Sequence, residues 1–263
     1  MPNDDPLLAK PTALVIAHPG HELRLHGWVQ RAHPWVCVLT DGSGHSDQSR
    51  LSTTTALLHD VGAHPTEVYG RFTDRAVYEL LLAGDVVPFC RLAEELAGTF
   101  VSRQIQYVVG DAIEGYNPVH DVCRLLIDTA VRLVETRGGS RIVAFDFSLL
   151  GRPDFCLEEH RSGAVWLHLD DEAFARKRAA AAAYGALAGE IGPLIAQLGE
   201  ELFRVECLRP AELWDSWKNG EMPEYERIGE ERVAAGYYHR VIRYREHIVP
   251  LANALRHFAE TRG

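Results

Sequence analysis

A Rossmann-like α/β fold is the architecture this 263-residue sequence predicts: a mostly parallel sheet with helices on both faces, followed by a helical C-terminal extension. Three observations lead there. Short, largely apolar runs at residues 12–17, 35–39, 105–109 and 141–145 have strand length, and the first is apolar on both faces, as a central parallel strand requires. Segments of helical period separate them, the alternation of a parallel sheet with crossover helices. The composition, 46% hydrophobic and 24% charged, belongs to a chain that buries a core.

Along the chain, the run at 12–17 stops abruptly at His18-Pro19-Gly20-His21. Leu23, Val29 and Ala32, mixed with Arg24 and Gln30, predict a helix. The strand at 35–39 closes in Thr40-Asp41-Gly42-Ser43-Gly44. Residues 48–62 read as helix, Val68-Tyr69 as a short strand, and 75–100 as one or two helices interrupted near Gly84 and Pro88. The strand at 105–109 runs into a loop over 110–120, and Val122, Leu125, Leu126, Ala130, Leu133 and Val134 then recur at helical spacing until Gly138-Gly139. After the strand at 141–145, residues 170–198 hold an alanine-rich helix around Lys177 to Leu187. The expected division is an α/β domain over 1–208 and a helical extension over 209–263, rich in Trp, Tyr, Arg and Glu and packed on it.

Lys+Arg 27 against Asp+Glu 37 gives a net charge of −10. That sign repels phosphate backbones and anionic lipid, so neither nucleic acid nor a membrane is an expected partner. No apolar run approaches the ~18–20 residues of a membrane helix. The start, with acids and prolines, lacks the pattern of a secretion signal, and five widely spaced cysteines read as reduced thiols; both predict a cytoplasmic protein.

Several motifs fail on spacing. His21 and His26 stand five apart, so on a helix they would point about 140° from each other, unlike a zincin pair. Gly110 to Gly115 has P-loop glycine spacing, but Tyr116-Asn117 stands where Lys and Ser/Thr are needed. There is no nucleophile elbow. What survives is His18-x-x-His21 after the first strand with His120 after a later one. Loops leaving the carboxyl ends of parallel strands meet at one edge, so His18, His21, Asp41 and the 111–120 loop can converge there. Three such imidazoles suit a metal with an open position for water, or they are solvated and hydrogen-bonded loop histidines.

At these residues the chain resembles the PIG-L/LmbE-type deacetylases, zinc enzymes that remove acyl groups from N-acetylglucosaminyl and related substrates. The family's A-H-P-D-D-E is matched by Ala17-His18-Pro19-Gly20-His21-Glu22, its T-x-G turn by Thr40-Asp41-Gly42, and its H-P-D-H by Asn117-Pro118-Val119-His120. Its acidic-apolar stretch before a helix with an internal Lys is matched by Leu167 to Asp171 and Lys177. The resemblance spans roughly residues 11–208, most specifically at the first motif, and leaves the extension unexplained. It implies a single divalent metal, Zn2+, held by His18, His21 and His120, with one ligand changed from carboxylate to imidazole.

The family's general base is Gly20 here, its acid or oxyanion partner is Asn117, and the neighbouring aspartate is Val119. Ligand positions are thus kept while proton-transfer groups are lost. Three neutral imidazoles leave zinc near +2 and can depress its water's pKa to about 7. The missing acid–base assistance is typically worth about 10²–10⁴-fold. Glu22, Asp41, Asp111, Glu114 and Asp121 are the nearby replacement candidates, with Asp111 and Glu114 preferred because their loop precedes His120. Asp121 or Asp41 is expected to orient a ligand imidazole, the former being equally a helix N-terminal acid. Asn117 either polarises a carbonyl or serves as a turn residue. Tyr116, His45 and Arg161 are candidate pocket residues, and Trp214 and Trp217 candidate sugar-stacking ones; for each, a surface or anchoring role is the simpler reading. The run Arg240 to Arg245, with Tyr244, reads as a solvated helix face.

The leading expectation is a metal-dependent hydrolase acting on an N-acylated amino sugar or related small metabolite. Its alternative is a catalytically impaired member serving as a metal-stabilised binding or accessory protein. A plain α/β protein with structural histidines is the third. A second copy of the chain, through the extension, is the one protein partner considered.

Overall fold

The computed structural model describes residues 6–44, 48–214 and 222–262. Strands β1 (Thr12–Ile16), β2 (Trp35–Thr40), β3 (His64–Phe72), β4 (Tyr107–Asp111), β5 (Val143–Phe147), β6 (Val165–His168) and β7 (Val205–Pro210) form one sheet in the order β3-β2-β1-β4-β5-β7-β6. From β3 to β5 the neighbours pair in parallel, and β7 is antiparallel to both β5 and β6. The connecting helices are α1 (His26–Ala32), α2 (Leu51–Asp60), α3 (Asp74–Ala83), α4 (Val87–Ser102), α5 (Pro118–Thr136), α6 (Asp171–Ala183) and α7 (Ala188–Leu198), and α8 (Glu224–Ala234) and α9 (Val249–Thr261) follow the sheet.

The apolar runs become strands because both sides of the sheet are covered. Along β1, Ala13 and Val15 face a core shared with α4, α5 and α9, while Leu14 and Ile16 face one shared with α1 and α2. Close packing sets Gly110 in β4, where a Cβ would stand 2.2 Å from Ile127 Cδ1 of α5 and 2.8 Å from the Val15 carbonyl. In the extension, Leu251, Leu255 and Ala259 of α9 join the α5 side of the core. Each buried leucine there contributes about 1.5–3 kcal/mol over exposure.

The structure corrects several sequence expectations. Residues 21–25 form a 3-10 turn ahead of α1 rather than part of one helix. The short strand at Val68-Tyr69 is a nine-residue edge strand. β6 and β7 were not anticipated: β6 has four residues, and β7 carries the fully buried Glu206 among its apolar residues, which breaks the hydrophobic signal. The helical region 170–198 is two helices, α6 and α7, joined through a 3-10 turn at Gly185–Leu187. The Arg240–Arg245 run is not a helix face until Tyr244, where a π-turn begins, and Arg243 pairs with Glu226 and Glu230 of α8. Among the described residues no helix is long and apolar enough to cross a membrane, and the five cysteines form no disulfide.

Candidate metal centre

Strand order reverses between β1 and β4: β2 and β3 lie on one side, β5 and the later strands on the other. Loops leaving β1 and β4 diverge at that point and open a crevice. His18 and His21 follow β1, Asp111 ends β4, and His120 lies in the first turn of α5. Asn117 caps that helix, its Oδ1 accepting the Val119 N–H at 2.9 Å, and Pro118 starts it with a residue that has no N–H to leave unpaired.

This framework gathers the three histidines. Their ring centroids lie 5.2 Å (His18–His21), 5.1 Å (His18–His120) and 4.7 Å (His21–His120) apart, with planes turned 60°, 70° and 87° to one another. One nitrogen from each lies within 4.8 Å of the others. His18 and His120 are buried and His21 is half-buried. Burial, reinforced by the other two rings, holds His120 well below its ordinary pKa, and its Nδ1 is buried without a hydrogen-bond partner. Burial also lowers His21, against the opposing pull of Asp111. Neutral nitrogen donors meeting in one place suit a divalent ion such as zinc.

Two carboxylates stand against the rings. His21 Nδ1 is 3.0 Å from each oxygen of Asp111, whose Oδ2 also accepts the Ala17 N–H at 2.8 Å. His18 Nε2 is 3.0 Å from Asp74 Oδ1, an ion-pair contact without an aligned hydrogen bond at that oxygen, and Asp74 Oδ2 accepts the Gly44 N–H at 2.6 Å. Asp74 is held below the usual carboxylate range: burial works the other way, but the His18 contact and the donors around it win. The negative charge missing from the three histidines therefore lies directly behind two of them.

The remaining sequence candidates are placed as follows. Asp111, expected in a loop as an acid, is the last residue of β4 and fully buried against His21. Glu114 accepts N–H groups of Leu149 and Leu150 and the Ser148 hydroxyl, and so fastens the loop after β5; burial raises its pKa. Glu22 is fully buried, accepts the Gly20 N–H and the Thr54 hydroxyl at 2.7 Å each, and is raised by burial. The lone pairs of all three carboxylates are thus occupied by local structure. Gly20 has φ 108°, strained for any side chain, and a Cβ there would lie 2.3 Å from Leu187 Cδ1, so an aspartate at position 20 would need both that backbone strain and a shifted leucine. Asp41 accepts from Ser43, and burial pushes the Asp121 carboxyl up to about 7; the carboxylates that touch the imidazoles are instead Asp111 and Asp74. Tyr116 is exposed, Arg161 pairs with Glu158, and Trp214 packs on the core below Arg256. His45 and Trp217 lie outside the described residues.

Sequence reasoning missed Asp74 and Arg50. Asp74 reads as an ordinary acid at a helix start. Arg50 crowds the turn at Gly42, where a Cβ would lie 2.7 Å from its Nε and 2.8 Å from Pro19 Cδ, and that Nε is buried without a hydrogen-bond partner.

No protein-family model matches the chain, and no curated protein does. Solved structures do. The deacetylase Dbv21 of A40926 pseudoaglycone matches at 17% identity and TM-score 0.53, over 80% of this chain and 99% of that one. The zinc-inhibited form of teicoplanin deacetylase Orf2 matches at 13% and 0.50, over 78% and 100%. The conserved protein TT1542 from Thermus thermophilus matches at 16% and 0.50, over 81% and 99%. The chain therefore has an α/β fold shared with deacetylases.

Proposed function

We propose that this protein is a metal-dependent hydrolase of the PIG-L/LmbE type that removes an acyl group from an N-acylated amino sugar or related small molecule. The observation that carries the reading is the convergence of His18, His21 and His120 at the strand-order reversal of a fold shared with deacetylases. These three residues would hold the ion, with zinc the expected metal. When bound, a divalent metal there supplies Lewis-acid polarisation of a carbonyl and activation of water.

The chain's own groups would do the rest. Asp111 fixes the His21 ring and leaves Nε2 facing the cluster. Asn117, three residues before His120, uses its carbonyl oxygen as a helix cap and keeps its amide N–H groups for a substrate carbonyl. Arg50 brings positive charge to the first loop. With glycine at position 20 and Glu22 and Glu114 engaged in hydrogen bonds to neighbouring groups, none of these three positions supplies the family's leaving-group protonation. Slow amide turnover, or faster turnover of acyl esters, is the expected consequence.

The test is zinc titration of the full chain, followed by amine or alcohol release from N-acetyl amino sugars and acyl esters, with chelator and with His120→Ala. Expected are stoichiometric zinc and chelator-sensitive turnover, both lost in the variant. Absence of zinc, or turnover indifferent to His120→Ala, overturns the reading. Zinc and sugar binding without turnover favours the accessory role.

A further inference from the structure

We infer that Asp74 is the positioning residue of His18: its carboxylate keeps the proton on Nε2 and leaves Nδ1 as the metal-binding nitrogen. The inference rests on the metal reading above and extends it to a residue far from both histidine motifs in sequence.

Asp74 is the first residue of α3 and is buried. Its Oδ2 is anchored by the Gly44 N–H at 2.6 Å, which sets Oδ1 3.0 Å from His18 Nε2. At 3.0 Å from a buried carboxylate oxygen a ring nitrogen carries its proton on that side even where the contact is not linear, because the other tautomer sets a lone pair against negative oxygen. Asp111 does the same to His21 at the other ring atom: Nδ1 is engaged and Nε2 left open. The two neighbouring histidines would thus ligate through opposite nitrogens, each backed by a carboxylate from a different element. Asp74 is not in the group of donors that approach within 4.8 Å of one another, so it acts through the imidazole.

The test uses the full-length protein labelled with 15N-histidine. Long-range 1H–15N spectra of the zinc-loaded protein are expected to show His18 metal-bound at Nδ1 and protonated at Nε2. Asp74→Asn, nearly isosteric, is expected to weaken zinc binding about 10–100-fold with the metal-free melting temperature unchanged. Zinc on His18 Nε2 in the wild type overturns the assignment even if the variant fails to fold. So does wild-type zinc affinity in Asp74→Asn. If that affinity persists while His120→Ala loses zinc, only the role of Asp74 falls; if both variants bind zinc as the wild type does, the metal reading falls with it.

Discussion

One short segment, residues 21–28, joins two buried polar clusters of opposite character. At its end, Lys177 donates to the Arg24 carbonyl and to Glu206 at 2.8 Å each, and Glu206 accepts the N–H groups of Gly27 and Trp28 at 2.9 and 2.7 Å. Lys177 and Glu206 match each other, and Glu206 takes up two N–H groups at the start of α1. At its beginning, His21 joins His18 and His120 with the three rings edge to face; His21 and His18 each have a carboxylate behind them, and His120 Nδ1 is buried and unmatched. Both clusters are buried and both carry carboxylates. The two differ in what their charged and basic groups meet: in the first a lysine and a glutamate pair with each other, and in the second three imidazoles face one another. The lysine that the family pattern places in the alanine-rich helix belongs to the first kind.

Four experiments break or sharpen that contrast. Lys177→Met leaves Glu206 buried without its cation, and should cost about 3–5 kcal/mol in urea unfolding while zinc affinity per folded molecule is unchanged. His120→Ala should do the reverse. It should lower zinc affinity about 10²–10³-fold in competition with a chromogenic chelator, with little loss of metal-free stability, because a neutral unmatched ring contributes no internal hydrogen bond. Parallel effects of these two variants on zinc and on unfolding would erase the distinction. Asp111→Asn should reduce zinc affinity about 10–100-fold, since the amide backs the His21 ring less well than a carboxylate. The smallest effect concerns pH. Burial holds His26 below its ordinary 6.5, so the folded chain binds this proton less readily than the unfolded chain. Its contribution to stability is therefore complete above about 6.5 and lost as pH falls below it. His26→Gln should make the decline of metal-free stability between pH 7 and 5 shallower, by at most about 1.4 kcal/mol per pH unit. An unchanged slope would remove His26 from the acid response.

Much of the scaffold is legible in the sequence. The run ending at Ala17 stops at His18-Pro19-Gly20-His21 because both faces of β1 are covered up to that point. Gly84 and Pro88 do mark the break between α3 and α4, Gly84 with φ 65° as a helix C-cap and Pro88 in the first turn. The last two strands were harder, because β7 hides a structural carboxylate at Glu206 and an isolated short apolar run such as β6 has no periodicity to read. At the site, the three histidines could be picked out from the motif spacing as candidate ligands, but the carboxylates behind two of them could not. Asp111 looks like a loop acid until the pairing of Val15 with Gly110 sets it beside the end of β1. Asp74 looks like a helix-start acid until α3 is packed against the sheet. Gly20 looks like a lost base, and only the fold shows its left-handed backbone and the Leu187 side chain, far along the chain, beside it.

By itself, then, the sequence determined the central strands β1, β2, β4 and β5, most of the helices between them and the residues at those strands' carboxyl ends, because apolar runs and turn residues report local burial and local backbone geometry. The tertiary structure alone decided the partners: Asp74 for His18, Asp111 for His21, Leu187 for the space at Gly20 and Lys177 for Glu206. Local pattern reports that a polar group is placed to be buried. Which distant group meets it depends on strand order and helix approach, which exist only once the sheet has closed around its core.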